Sequence, residues 1–188
     1  STPLYSSAAS DVYKRQLLRY SLASNDLLVP LSREVRIIDE FYAIYHVRFG
    51  ERVRLIWHMA DDIDLTETMV PSFIVQPLVE NAFKHGIIPQ ETGGTVRITI
   101  RRLPKHRLLY IAVQDDGVGM DRTHLQEVRL SLREVPESGQ HIGLSNVAAR
   151  LRLLDPPGRL DLHAAPDKGT RAVLFLPLIE PGEEHDDV

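Results

Sequence analysis

Apolar residues recur every three or four positions early in the chain, and this spacing predicts a helix over residues 27–47. Its apolar stripe consists of Leu31, Val35, Ile38, Tyr42 and Tyr45. Ser32 and Glu34 supply a polar start, and Gly50 is suitably placed to end the helix. Strict alternation of apolar and polar residues comes next over residues 52–59, which is typical of a half-buried strand.

A second helix is predicted around residues 75–86, with Ser72 as its N-terminal cap. At 100° per residue, one side carries Pro77, Glu80, Asn81, Lys84 and His85, and the other carries Val75, Leu78, Val79, Ala82 and Phe83. The apolar side can pack on a sheet. The polar side offers an amide, a carboxylate, an ammonium group and an imidazole together.

The remaining pattern predicts two antiparallel hairpins separated by helical segments. Strands are predicted over residues 95–101, 108–113, 160–164 and 170–176, and helices over residues 123–135 and 143–154. The segment 123–135 is polar and loosely helical, which favours a mobile lid. The order of elements predicts an α/β (α+β) two-layer sandwich, with a mixed, largely antiparallel sheet and helices on one face.

Composition excludes several classes of chemistry. The 188 residues are 43% hydrophobic, which predicts a folded chain with a full core. A formal charge of −4 without a basic block does not favour direct nucleic-acid binding. The absence of cysteine excludes disulfides and thiolate metal sites, and no apolar run approaches the ~20 residues of a membrane span.

Two segments carry candidate chemistry. Residues 115–119 (Asp-Asp-Gly-Val-Gly) come directly after an alternating strand and place a carboxylate acceptor beside backbone that a ligand can approach closely. In isolation, an aspartate in a tight hairpin turn explains this segment better. Asn81 is a neutral oxygen ligand suited to Mg²⁺; a buried structural asparagine is the alternative.

Four segments in order resemble the ATP-binding domain of sensor histidine kinases, within the GHKL superfamily that also holds type II topoisomerases, Hsp90 and MutL. Residues 80–85 resemble the N box, 115–119 the G1 box, 139–147 the G2 box, and 168–170 the final glycine-threonine motif. Residues 76–81 (Gln-Pro-Leu-Val-Glu-Asn), preceded by Arg48-Phe49-Gly50, are similar to the LytS/YehU type. The resemblance covers roughly residues 17–178 and implies a Bergerat-type fold.

The resemblance implies an adenine-binding end of the site. Asp115 is expected to accept a hydrogen bond from the adenine amino group, which guanine lacks at that position. Gly117 and Gly119 are expected to let the backbone approach the base, and Thr170 to support this end by hydrogen bonding near Asp115.

The resemblance also implies a phosphate-binding and catalytic end. Asn81 is expected to ligate Mg²⁺, Lys84 and His85 to balance phosphate charge, and Glu80 to act as a polarising acid near the γ-phosphate. For Lys84 and His85 a solvated helix end remains the alternative, and for Glu80 the alternative is a surface carboxylate next to Lys84. The backbone amides of Leu144 and Ser145 after Gly143 are expected to meet phosphate oxygens, with Asn146 near the nucleotide.

Three departures from the family pattern sharpen the functional expectation. Pro77 stands where topoisomerases and Hsp90 carry a water-activating glutamate, which disfavours a self-contained ATPase and favours transfer to a protein residue. His141 replaces an expected glycine in the G2 box. The phosphorylated histidine of the family has no match, and His46 is interpreted as helix surface.

The resemblance therefore implies a histidine kinase catalytic domain that uses ATP and Mg²⁺. The acceptor is expected to be a histidine on dimerisation helices of the same protein, which would be a homodimer passing the phosphoryl group to a response regulator. The expected setting is the cytoplasmic side of an inner-membrane-anchored bacterial sensor. A serine kinase of the anti-sigma-factor type and a non-catalytic nucleotide-sensing module remain alternatives.

Four segments are predicted along the chain. Residues 1–16 resemble a translated library adapter, or else form an ordinary polar terminus. Residues 17–50 are expected to end the dimerisation and linker region, and residues 51–179 to form the ATP-binding domain. Residues 180–188 form an acidic tail that is predicted to be disordered.

Overall fold

The computed structural model describes residues 28–133 and 142–179. The strands are β1 (Leu28–Pro30), β2 (Val53–Met59), β3 (Met69–Pro71), β4 (Gly94–Leu103), β5 (Leu108–Asp115), β6 (Arg159–Ala164) and β7 (Thr170–Pro177). The helices are α1 (Leu31–Phe49), α2 (Gln76–Asn81, continued by a π-helical turn over Ala82–Ile87), α3 (Arg122–Ser131) and α4 (Ile142–Arg152). The predicted adapter segment, the acidic tail, His141 and the end of the predicted lid lie outside the described residues.

Five strands form one mixed sheet in the order β2-β4-β5-β7-β6. The pair β2–β4 is parallel, whereas the other three pairs are antiparallel. Both predicted hairpins are present, with Ile98 opposite Val113 in the first and Leu162 opposite Ala172 in the second. The predicted two-layer sandwich with a mixed, largely antiparallel sheet is confirmed.

The main core lies between the sheet and the helices. Alternate residues of the central strands are fully buried in it, including Ile98, Ile111 and Leu174 at 0% exposure. The opposite face of the sheet carries only a small cluster around Tyr110, Ala112 and Val173 among the described residues. Period-two alternation therefore assigns one face to the core and the other to solvent.

Helix α1 begins later than predicted. Residues 28–30 are extended and pair with residues 69–71 as a separate two-stranded sheet. Pro30 explains the boundary, because a proline disfavours helical geometry in the residue before it. Gly50 ends the helix as predicted, with a φ of +59° and its N–H bonded to the carbonyl of His46.

Helix α1 shares the main core with the sheet. Ile38 and Phe41 are buried in the same cluster as the central strands. The predicted segment boundary at residue 51 thus separates two parts that pack together in this chain.

The predicted signals at two helix starts have different outcomes. Glu34 lies in the first turn of α1, as predicted, although its side chain is 1% exposed. Ser72 does not cap α2, which begins at Gln76 and has no side-chain cap. Helix α3, in contrast, is capped by Asp121, whose Oδ1 accepts the His124 N–H at 2.8 Å.

Candidate functional site

Helix α2 presents a polar face beside an apolar one, as its sequence predicts. Leu78, Val79 and Phe83 are at most 2% exposed and belong to the main core. Pro77, Glu80 and Asn81 are half-buried, and Lys84 and His85 are exposed. Burial of the apolar face fixes the direction in which the polar side chains point.

The last part of α2 widens into a π-helical turn, which the sequence did not predict. The Ile88 N–H donates to the Phe83 carbonyl at 2.9 Å, a bond that spans five residues. The Gly86 carbonyl accepts the Val118 N–H at 3.1 Å. The wide turn therefore joins the end of α2 to the segment after β5, and such turns occur often at functional sites.

Asp115 is the buried carboxylate of the site. It lies at the end of β5, is 2% exposed, and its Oδ1 accepts the N–H groups of Gly117 at 2.9 Å and Thr170 at 3.2 Å. Burial raises the pKa of Asp115 to about 6, and these two hydrogen bonds oppose the rise. At neutral pH the group is an ionised acceptor with little water around it, which suits a ligand that donates an N–H.

Glycines allow three chain segments to meet around Asp115. A Cβ on Gly117 would lie 2.2 Å from the Gly86 carbonyl oxygen. A Cβ on Gly169, which has a φ of +73°, would lie 1.9 Å from the Asp115 carbonyl oxygen. Gly119 approaches Ala165 in the same way, with an added Cβ 1.9 Å from its carbonyl oxygen. The glycines of the predicted G1 box are thus required by contacts within the protein.

The path of the chain after Asp115 excludes the hairpin-turn alternative. Residues 116–119 lead to the Asp121 cap of helix α3, and the described strands that pair with β5 are β4 and β7, neither of which begins in this segment. Asp116 has the structural role instead, because its Oδ1 accepts the Thr95 N–H at 2.6 Å.

The first turn of α4 lies beside the start of α2. A Cβ added to Gly143 would be 3.7 Å from Pro77 Cβ. Gly143 and Asn146 are exposed, whereas the side chains of Leu144 and Ser145 are buried. A helix start has backbone N–H groups without helical partners, so this turn can bind an anion next to the polar face of α2.

The donor set fits a magnesium ion held mainly by a bound triphosphate. Asn81 offers an amide oxygen on the polar face of α2, and oxygen is the ligand that Mg²⁺ prefers. Within residues 28–133 and 142–179, no three His, Asp or Glu side chains are grouped to hold a metal. Asn81 could supply one ligand, and Mg²⁺ commonly takes its other ligands from substrate phosphates and water.

Glu34 anchors the loop that leads into α2. Its Oε1 accepts the Phe73 N–H at 2.7 Å, and its Oε2 accepts the N–H groups of Ile74 at 3.1 Å and Val75 at 3.0 Å. Phe73 has a left-handed φ of +56°, so consecutive N–H groups converge on the carboxylate as in an anion-binding nest. Burial raises the pKa of Glu34, and the backbone hydrogen bonds oppose that rise.

Arg150 of helix α4 holds the same loop from the other side. Its guanidinium donates to the Ser72 carbonyl and lies 5.9 Å from the centre of the Phe73 ring. Helices α1 and α4 therefore both position the start of α2, which carries the polar face of the site.

Sequence reasoning missed the roles of Glu34, Arg150 and Gly86. For Glu34 a signal existed, because positions 31, 34, 38 and 41 form an apolar stripe in which a glutamate replaces the expected apolar residue. Gly86 packs against Asp115, with an added Cβ only 2.5 Å from Oδ1. Nothing in the local pattern indicates that contact.

Fold and site together define a two-layer ATP-binding domain. The family model for histidine kinase-, DNA gyrase B- and HSP90-like ATPases matches residues 70–180. The chain belongs to this family.

A relative agrees with this assignment, and solved structures share the fold. The chain is 31% identical over 164 residues to the sensor protein kinase HptS of Staphylococcus aureus, covering 87% of this chain but only 30% of that protein. The histidine kinase domain from the Erythrobacter litoralis EL346 blue-light activated histidine kinase has a TM-score of 0.58 at 19% identity, covering 81% of this chain and 63% of that one. The mycobacterial sensor histidine kinase MprB has a TM-score of 0.54 at 19% identity, covering 78% and 95%.

Proposed function

We propose that this chain is the catalytic domain of a sensor histidine kinase of the LytS/YehU type. It binds Mg²⁺–ATP and transfers the γ-phosphoryl group to a histidine of the same protein. In this proposal the acceptor histidine lies on dimerisation helices upstream of the domain. The buried Asp115 carboxylate carries this proposal, because it is an ionised acceptor at the meeting point of β5, α2 and β7. A solved structure with the same fold, the full-length ShkA at a TM-score of 0.57, is a complex with AMPPNP.

In the proposed complex each end of the nucleotide meets one end of the site. Asp115 accepts the adenine amino group, while Gly117, Gly119 and Thr170 surround the base. Asn81 ligates Mg²⁺ on the triphosphate, and the first turn of α4 at Gly143, Leu144 and Asn146 donates N–H groups to phosphate oxygens. Lys84 and His85 balance the remaining negative charge.

The transfer step needs positioning and charge neutralisation more than covalent chemistry by the protein. The bond between the γ-phosphorus and the β–γ bridging oxygen breaks, a phosphorus–nitrogen bond forms on the acceptor imidazole, and ADP leaves. Glu80, on the face that carries Asn81, is the polarising acid near the γ-phosphate. Pro77 cannot activate water, which favours transfer to a histidine over hydrolysis.

The LytS/YehU assignment rests on Arg48-Phe49-Gly50 and on residues 76–81. With it we propose a homodimeric, inner-membrane-anchored sensor whose response regulator receives the phosphoryl group. Residues 17–50 are proposed as the end of its dimerisation region and residues 51–179 as the ATP-binding domain. Among the described residues, none of the helices is long and apolar enough to span a membrane.

Radiolabelled ATP tests the transfer. The chain alone should not label itself, and it should label an added histidine-bearing dimerisation domain from the same full-length protein. A His46→Ala variant is the control and should behave like the parent. Strong self-labelling that this variant abolishes would contradict the proposal. ATP binding without any labelling of the added domain would favour the nucleotide-sensing alternative.

A further inference from the structure

A groove runs along the edge of β6 that does not pair with β7. Its volume is about 570 Å³, within the ~300–1,000 Å³ typical of small-molecule sites. One wall is the strand from Gly158 to His163, and the other consists of residues 129–133 and 148–152 of the α3 and α4 regions. In the described part of the chain, β6 pairs only with β7. We call this feature the β6 groove.

The rim of the β6 groove is strongly basic. Arg129, Arg133, Arg152 and Arg159 line it, against the single carboxylate of Asp161, which pairs with Arg159 at 3.0 Å. The whole chain has a formal charge of −4, so this concentration of positive charge is opposite in sign to the protein as a whole. A local potential of this kind attracts anions.

Two of these arginines are fixed in place by the backbone. The Arg129 Nε donates to the Leu162 carbonyl at 3.1 Å, and Arg152 donates to the Leu132 carbonyl at 2.8 Å. Each guanidinium has five N–H donors, so both retain donors for a ligand. A cation that is already ordered loses less entropy when it binds a ligand.

Protection of the β6 edge explains the position of only one of the four arginines. Exposed edges are often blocked by a charged side chain, and Arg129 does so at Leu162. Arg133 and Arg159 also line the groove, and the bond of Arg159 is to a carboxylate rather than to the strand edge. The floor of the groove consists of Leu160, which is partly exposed, and of Leu132, Leu151 and Leu162, which are each at most 8% exposed and belong to the main core.

We propose that the β6 groove is a second ligand site, which binds a small amphiphilic anion through a phosphate or carboxylate head on the arginines and an apolar chain on the leucine floor. The described lining includes no Phe, Tyr or Trp that would stack a nucleotide base. The groove shares helix α4 with the nucleotide site, but it uses residues 148–152 instead of the first turn.

Calorimetry with three compounds tests the ligand class. Octyl phosphate carries both head and chain, inorganic phosphate carries the head alone, and 1-octanol carries the chain alone. Octyl phosphate should bind at least about ten-fold more tightly than either partial compound. Equal binding of octanol and octyl phosphate would contradict a role for the arginines. Equal binding of inorganic phosphate and octyl phosphate would contradict a role for the floor.

Variants locate the site. Arg133→Gln combined with Arg159→Gln should weaken octyl phosphate binding about 5- to 30-fold, the effect of two partly exposed ion pairs. The matched control is Arg54→Gln with Arg97→Gln, which removes the same charge from exposed positions on β2 and β4. Equal losses in both double variants would mean that binding follows net charge only. Displacement of octyl phosphate by Mg²⁺–ATP would place it in the nucleotide site. Either result overturns the proposal.

Discussion

Replacing Glu34 with alanine should destabilise the protein more than alanine substitution of an exposed residue on the same helix. The carboxylate is 1% exposed and accepts three consecutive backbone N–H groups. A buried donor left without a partner costs about 1–3 kcal/mol. Water entering the vacated space would satisfy some donors, so we expect a loss of about 3–5 kcal/mol in the free energy of unfolding. That is a large fraction of the ~5–15 kcal/mol of a typical domain.

Urea unfolding followed by circular dichroism measures this loss. Glu40→Ala is the matched control, because Glu40 is exposed on the same helix and pairs only weakly with Arg36 at 4.0 Å. It should change stability by less than about 0.5 kcal/mol. Glu34→Gln keeps one acceptor oxygen but turns an amide donor toward the loop, so its loss should be intermediate. Similar losses for Glu34→Ala and Glu40→Ala would refute the assigned role of Glu34.

Four further predictions concern the nucleotide site. Because the pKa of Asp115 is raised to about 6, its carboxylate becomes protonated below about pH 6, and ATP affinity should fall there. Purine riboside triphosphate, which lacks the amino group, is the control. Its affinity should fall less in the same pH titration. Because the folded state raises the pKa of Asp115, the protonated carboxyl group stabilises the unliganded fold below pH ~4. This contribution is lost as the pH rises through about 6. Urea unfolding at several pH values would show the loss. Gly169→Ala should lower the free energy of unfolding by more than about 2 kcal/mol, because its Cβ would lie 1.9 Å from the Asp115 carbonyl oxygen and its φ is +73°. Gly143→Ala should be near neutral in the same assay, because its Cβ would lie 3.7 Å from Pro77 Cβ. ATP binding should weaken when Mg²⁺ is chelated, and Asn81→Ala should reduce that dependence in calorimetry with and without chelator.

The parts of the site that could be predicted lie on single elements. The polar and apolar sides of α2 result directly from helical periodicity, and burial of Leu78 and Phe83 confirms them. The two hairpins result from alternation bounded by turn residues, and their register confirms them. Periodicity is a local property, so a single sequence is sufficient to reveal it.

The parts that could not be predicted depend on contacts between distant segments. Thr170 and Asp115 are 55 residues apart, yet the N–H of one bonds to the carboxylate of the other. The resemblance suggested that they meet, but no spacing in the sequence does. The π-helical turn that includes Gly86 likewise depends on packing against the segment after β5. Strands β1 and β3 have three residues each, which is too short for alternation to be recognised.

Glu34 shows how a local rule can place a residue correctly and still miss its main contacts. A serine and a glutamate near a helix start are the usual signs of a polar first turn. Here the glutamate faces inward because the loop at residues 73–75 offers three N–H groups to its carboxylate. Buried polar groups require partners, and the partners of Glu34 lie 39 to 41 residues away in the sequence, where no local rule indicates them.

The most direct test of the adenine-binding role is the ATP affinity of Asp115→Asn. The substitution keeps the shape of the side chain, removes its negative charge, and can direct an amide donor toward the adenine amino group. A hydrogen bond to a charged group contributes ~1.5–3 kcal/mol, so calorimetry should show roughly a 10- to 150-fold loss of Mg²⁺–ATP affinity. GTP should bind the parent weakly and lose little. Unchanged ATP affinity in a folded Asp115→Asn variant would mean that adenine binds elsewhere and would contradict the proposed site.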